Sequence, residues 1–293
     1  MTASLHDTEI PTTVVASDAE HGATGPEVAG HTPAGFSRLL RSEWTKLRTV
    51  RSTIWALVIL VVTTIGFTSL LSWLAMTQWD TFTPLQQHEV MADPAGQILG
   101  SGFQFSQLAV CVLGVLVMTA EYSSGTISAS LLAIPRRTPM LAAKSLVFAV
   151  VVFVVAEIAA FPSFFIGAAI MNSRAPVSIG DPNVLRAIIG AGLYASMLGV
   201  FAIAIGTLVR HTAGAITGII GFVLVLSPLA LLLPGTVGEH IHAYLPTVAG
   251  QGIAMTAQRS DDLLTAWQGF GVFGLWTAGL LALGAYLLKR RDA

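Results

Sequence analysis

Polar positions in this chain are gathered into short blocks, and the stretches between them are almost free of charge. Apolar runs stand at about 54–76, 103–120, 145–171, 187–209, 212–233 and 267–288. A helix needs roughly 20 predominantly apolar residues to cross a bilayer, and most of these runs reach that length, the second lying nearest the lower limit. The pattern predicts an all-α membrane protein with six transmembrane helices. The block at 121–144, EYSSGTISASLLAIPRRTPMLAAK, has a different rhythm. Ser123, Ser124 and Gly125 interrupt the preceding helix, because glycine tolerates unusual backbone angles and serines compete for backbone hydrogen bonds. Thr126 starts a new helix in which Ile127, Leu131 and Ile134 recur at i, i+4 and i+7, and Pro135 stops it. At about two turns it is too short to span, so it is predicted to lie flat against a partner surface.

Ahead of the first run, 35–51 reads GFSRLLRSEWTKLRTVR. Phe36, Leu39, Leu40, Trp44, Leu47 and Val50 share one side of a helical wheel, and Arg38, Arg41 and Arg48 take the other. This is the pattern of a helix in the membrane interface, with basic side chains among headgroups and Trp44 at the boundary. Glu43 falls inside the apolar arc, so it must be paired, either with Lys46 on the same helix or with a cation elsewhere in the bundle. The outer connections are less regular: 77–102 reads as an excursion with one short helix. The apolar content of 234–266 predicts short helices folded back towards the outer leaflet. Glu239, His240 and His242 have neither the spacing nor the further ligand of a metal site.

Composition agrees with the pattern. The chain has 293 residues, 54% hydrophobic and only 11% charged, and its mean hydropathy is +0.73. That is too little charge to cover a soluble surface. The lone Cys111 lies in an apolar run, which excludes a disulfide framework and favours a packing role. Residues 1–34 carry acidic residues, no Lys or Arg and no aromatic, and are predicted to be a disordered acidic tail rather than a secretory signal. Of the 15 Lys and Arg, only Arg174, Arg186 and Arg259 fall on one side of the six-span topology. The positive-inside rule therefore predicts a multi-pass plasma-membrane protein with both termini and the 121–144 block in the cytoplasm.

Inside the spans, Gly190, Gly192, Ala195, Gly199 and Gly206, followed by Gly214 and Gly218, allow close helix approach. Pro162 and Pro228 predict local bends. Glu157 lies near the middle of the third run, where an ionisable group is a functional candidate by default. Two readings of it stay open: contact with a polar or cationic substrate on a translocation path, or a protonated group bonded to a neighbouring helix. A phosphate-binding loop requires Gly-Lys-Ser/Thr, whereas Lys46, Lys144 and Lys289 are preceded by Thr, Ala and Leu. ATP hydrolysis by that mechanism is not encoded here.

Several segments together resemble the membrane subunits of ABC-2 type transporters, in particular compact six-span permeases. They are RLLRSEWTKLRTVRSTIW, the 121–144 block, LVRHTAGAITG, YLPTVAGQGI and the terminal RRDA, in that order. The similarity covers nearly all of 35–293, which is taken as the transmembrane domain. It implies a half-transporter that pairs with a second permease chain and with a separate ATPase subunit. ATP-Mg would be held on the ATPase, with no cofactor on this chain and no nucleic-acid partner. It further implies that 35–51 is a connecting helix bearing Glu43, Trp44 and Lys46, and that 126–134 is a coupling helix. Glu121, Gly125 and Thr126 match the family's E-x-x-x-G-T signature. Gly125 would then be the joint, Ile127 and Leu131 the surface pressed into the ATPase, and Arg136 and Arg137, after Pro135, the anchors at the membrane boundary. Outward transport is the family's usual direction. Two readings from other classes compete: a proton-coupled secondary carrier built on Glu157, and a membrane scaffold that transports nothing. An intramembrane enzyme would need clustered titratable groups that the spans lack.

Overall fold

The computed structural model describes residues 35–123, 137–258 and 262–290, all within one compact unit. The predicted acidic tail and the predicted coupling helix at 126–134 lie outside the described residues. Everything described with regular structure is helical. Helix α1 is Phe36–Thr49, and one extended residue, Val50, turns the chain into α2, Arg51–Thr77. A single 3-10 turn and the short α3, Pro84–Ala92, then lead to α4, Pro94–Ser123. The long α5, Arg137–Met171, is followed by α6, Val184–Val209, and α7, Thr212–Leu224. Three short helices come next: α8, Leu226–Leu231, α9, Gly235–Ala243, and α10, Pro246–Gln251. The chain closes with α11, Ala266–Arg290.

Five of these helices, α2, α4, α5, α6 and α11, are long and apolar enough to cross a membrane. The fifth predicted span, 212–233, is broken. Its first piece, α7, has 13 residues and is only about 20 Å long, which falls short of the hydrocarbon core. The break has a local cause in Pro228, whose ring clashes with the carbonyl of the residue four positions back and which has no N–H to donate to it. That residue is Leu224, where α7 ends. Pro162, by contrast, sits inside the continuous α5.

A second departure from the sequence pattern is at the start of α4. The helix begins at Pro94, well before the apolar run at 103, so part of the expected outer excursion belongs to the span. Asp93 explains this start: its carboxylate accepts the Gly96 N–H at 2.8 Å as an N-cap, with Pro at the first helical position.

Helix α6 is the central column of the bundle. Of its most apolar window 72% is buried, against 17% for α2, which leaves α2 largely facing outward. Close approach explains how α6 packs on two sides at once. On one, Gly114 of α4 meets Gly199 and Ala202, so that a Cβ there would lie 2.6 Å from the Gly199 carbonyl oxygen. On the other, Gly199 faces the ring of Phe148 from α5. Gly206 is likewise packed against Val115 and Met118, whereas Gly218 on α7 has nothing near it. Cys111 is fully buried among the core side chains.

The antiparallel order defines two ends. Helix α1, the close of α4, the start of α5 and the close of α11 lie at what is termed the basal end, where Gly284 packs on Thr207. Helices α3, α9 and α10 lie at the distal end, where Arg186 donates to the carbonyls of Ile253 at 3.3 Å and Met255 at 2.8 Å.

Candidate functional site

At the basal end α5 reaches beyond the membrane-spanning length. Its 35 residues make a helix about 52 Å long, against a hydrocarbon core of about 30 Å. On that first stretch Met140, Leu141, Lys144 and Phe148 share one face, and all are buried. Lys144 thus points where an apolar side chain would ordinarily go. Glu121 repeats the situation on α4, following Gly114 and Met118 on the inward face. Glu43 repeats it on α1, one turn after the buried Leu39.

The three misfit charges meet, joined by Lys46. The Lys144 ammonium donates to Glu43 Oε2 and to Glu121 Oε1, both at 2.8 Å. Lys46 Nζ donates to Glu43 Oε1 at 2.7 Å and to the same Glu121 Oε1 at 2.9 Å. The result is a closed Glu–Lys–Glu–Lys ring with no net charge, drawn from three separate segments of sequence. Burial is uneven around it: the side chains of Lys144 and Glu43 are 3% and 4% exposed, that of Lys46 is 44% exposed. Lys46 closes the ring on its solvent side. Burial lowers the Lys46 pKa, but the hydrogen bonds and charges of Glu43 and Glu121 more than reverse this, so it stands above its ordinary value. Glu121 Oε2 is buried and has no hydrogen-bond partner among the described residues.

A second contact braces the same end. The Arg210 guanidinium lies 5.2 Å from the centre of the Tyr122 ring, in range of a cation–π attraction. Arg210 forms the turn between α6 and α7 in the left-handed region, with φ 58°. His211 then caps α7, its Nδ1 accepting the Gly214 N–H at 3.2 Å. Ring and cation–π contact together join α1, α4, α5 and the α6–α7 turn.

The ring answers both alternatives for Glu43, which is bonded to Lys46 on its own helix and to Lys144 from elsewhere in the bundle. Trp44, on the same helix, is half exposed and not part of the ring. Sequence reasoning gave Lys144 no role beyond its place at the end of the 121–144 block, although its place in the Met140, Leu141, Phe148 stripe was legible. Gly125, Thr126, Ile127, Leu131, Pro135 and Arg136 lie outside the described residues. Arg137 is described as the first residue of α5.

Glu157 stands apart. It is 13 residues beyond Lys144 on α5, about 20 Å along the helix axis. Its carboxyl lies against the backbone of Gly192 on α6, and neither oxygen has a hydrogen-bond partner among the described residues. At the distal end Glu239, His240 and His242 do not converge: His240 Nδ1 pairs with the Thr236 carbonyl at 2.7 Å and His242 Nε2 with Ser227 at 3.1 Å.

Comparison with known proteins gives one family. The family model described as ABC-2 family transporter protein matches residues 39–228, more than half of the chain and a stretch that contains the whole ring. No curated protein matches the chain significantly.

Proposed function

The chain belongs to the ABC-2 family of transporter proteins, and from that premise we propose that it is the permease half of an ATP-driven exporter, with the charged ring serving as the joint through which a separate ATPase moves the spans. As a multi-pass membrane subunit of a transporter it forms the path, and in this reading ATP-Mg is bound and hydrolysed on the partner. The basal end faces the cytoplasm, where most of the Lys and Arg are found. A second permease chain completes the path.

The observation that carries the coupling role is the position of the ring relative to 124–136. That segment connects the end of α4 to the start of α5, and Glu121 and Lys144 hold those two helices to each other and to α1. Force applied to the segment by an ATPase then reaches three helices as one body instead of bending one of them. The switch between inward- and outward-open states follows from tilting that body against α6.

The experiment is affinity purification of the tagged chain from its own membranes in mild detergent, alongside Leu131→Asp. The expected result is a stoichiometric ATP-hydrolysing partner with the wild-type chain and reduced capture or uncoupled hydrolysis with the variant, which still inserts. Absence of an ATPase from a folded preparation, or a variant with unchanged ATPase binding and transport, overturns the proposal.

A further inference from the structure

A second site lies at the opposite end of the molecule. A cavity of about 690 Å³ opens there between α3, the start of α4, α6, α10 and the segment that follows. This is within the size range of pockets that hold small organic molecules. Its floor is deep and polar. Tyr194 and Gln107 are each only 2% exposed, and the Tyr194 hydroxyl donates to Gln107 Oε1 at 2.9 Å. Gln251 Nε2 donates to that hydroxyl at 3.3 Å. One wall is a stripe on α4, Gln97, Gly100, Gln104 and Gln107, spaced 3, 4 and 3 residues apart and therefore on one face of the helix.

Amides on a membrane-spanning helix are unfavourable unless they have partners or water. Here much of their capacity is open. Gln107 uses one N–H on the Gln104 carbonyl at 3.1 Å, and the Gln104 side-chain amide makes no hydrogen bond among the described residues. Each amide offers two donors and an acceptor, so the stripe can satisfy a ligand's hydroxyls, amides or ammonium.

Glu89, Asp93 and Asp262 line the cavity together with His88, and no Lys or Arg does so among the described residues. Asp262 has a partner of its own. Asp93 is structurally engaged: besides Gly96 it accepts from the Thr256 hydroxyl and from the backbone N–H groups of Thr256 and Ala257, both at 3.2 Å. It pins the segment after α10 beside the mouth. Glu89 is exposed at the rim and forms no ion pair among the described residues.

We propose that this distal cavity is a binding site for small organic cations, a protonated amine on a scaffold that hydrogen-bonds to the Gln97–Gln107 stripe and stacks its apolar part on Phe103 and Leu99. Glu157 is not part of it. Glu157 meets α6 at Gly192, and Tyr194 lies two residues on, about 200° around the helix, so α6 separates the two. The binding claim stands on the cavity alone; that the ligand is cargo rests on the transport reading above.

The test uses the full chain in lipid nanodiscs without any ATPase, so its outcome is independent of whether an ATPase partner exists. The probe is dansylcadaverine, a primary ammonium on a fluorescent sulfonamide, with dansylamide as the neutral control. Binding is read from the fluorescence shift. Gly100→Trp is the blocking variant: Gly100 lines the cavity and a Cβ there meets nothing within 4 Å, so the new side chain starts from open space. Expected are preferential binding of dansylcadaverine over dansylamide, loss of binding in Gly100→Trp with an unchanged unfolding midpoint, and about threefold weaker binding in Glu89→Gln. No binding of dansylcadaverine overturns the proposal, and so does equal binding of the two probes, which would mark an apolar or lipid niche. Unchanged binding in Gly100→Trp would place the probe elsewhere and overturn it equally.

Discussion

Replacing Lys144 with Met tests whether the ring acts as one electrostatic unit. Met is close in length to the Lys stem, so packing changes little and the loss is mainly charge and hydrogen bonds. The substitution removes two charge-assisted bonds at 2.8 Å and leaves Lys46 alone to face two carboxylates. Lys46 cannot fully compensate, because its side chain is 44% exposed and Glu43 Oε2, the oxygen that faces Lys144, is left without its donor. The buried carboxylate of Glu43 loses its deep partner, and an uncompensated buried charge costs about 3–5 kcal/mol. Lys46→Met, at the exposed corner, should cost about 1 kcal/mol or less after solvent screening. Combining Lys144→Met with Glu121→Gln restores neutrality around the remaining Glu43–Lys46 pair, and should recover about 1–3 kcal/mol relative to the sum of the single changes. Unfolding by SDS in mixed micelles, followed by tryptophan fluorescence, measures the wild type, the three single variants Lys144→Met, Lys46→Met and Glu121→Gln, and the double variant. A Lys144→Met cost no greater than that of Lys46→Met, or strict additivity in the double variant, would refute the ring as a unit.

Two further predictions concern the same bundle. The raised Lys46 pKa means that its contribution to stability is fully present below the ordinary value of 10.5 and is lost only as pH climbs above it; the stability gap between wild type and Lys46→Met should hold from neutral pH to about pH 10 and narrow beyond, and a gap that closes near neutrality would contradict this. Gly114→Ala should destabilise by about 1–3 kcal/mol because the new methyl meets the Gly199 carbonyl and Ala202 Cβ at 2.6 Å, while Gly218→Ala, with open space around it, should be neutral or gain up to about 1 kcal/mol; equal effects in the same unfolding assay would mean that α4 does not pack on α6 as described.

Much of the architecture was legible because a bilayer restricts the choices: long uncharged runs become helices, and their ends carry the charge. The misreadings have local causes. The 212–233 run is expected to bend at Pro228, and the structure goes further to a break, because Pro228 removes the bond that would carry the helix through Leu224. The start of α4 was set by an Asp-Pro pair outside the apolar run, which hydropathy does not register. At the ring, Glu43 announced itself by standing in an apolar arc. Lys144 sent the same signal and was counted only as the end of the 121–144 block. The Gln97, Gly100, Gln104, Gln107 stripe was equally readable by period, but it straddles the supposed boundary between loop and span, so its two halves were never put on one wheel. Which charges meet was beyond reach, since Glu43 and Lys144 are 101 residues apart.

The chemistry of the ring also bears on why charges rather than apolar side chains occupy this place. A buried ion network is weak evidence for stability, since well-packed apolar residues often hold helices as firmly. What apolar contact does not supply is register. A hydrophobic face can slide gradually, whereas an ammonium held at 2.8 Å by carboxylates from two other helices loses both bonds if α5 shifts by one residue's rise of about 1.5 Å. Sliding is therefore resisted, and motion of α1, α4 and α5 as a group is left as the easier response. In the coupling proposed above, that is the mechanically useful outcome: displacement at the basal end would be carried up α4 to the Gln107–Tyr194 floor of the distal cavity without being absorbed between the helices.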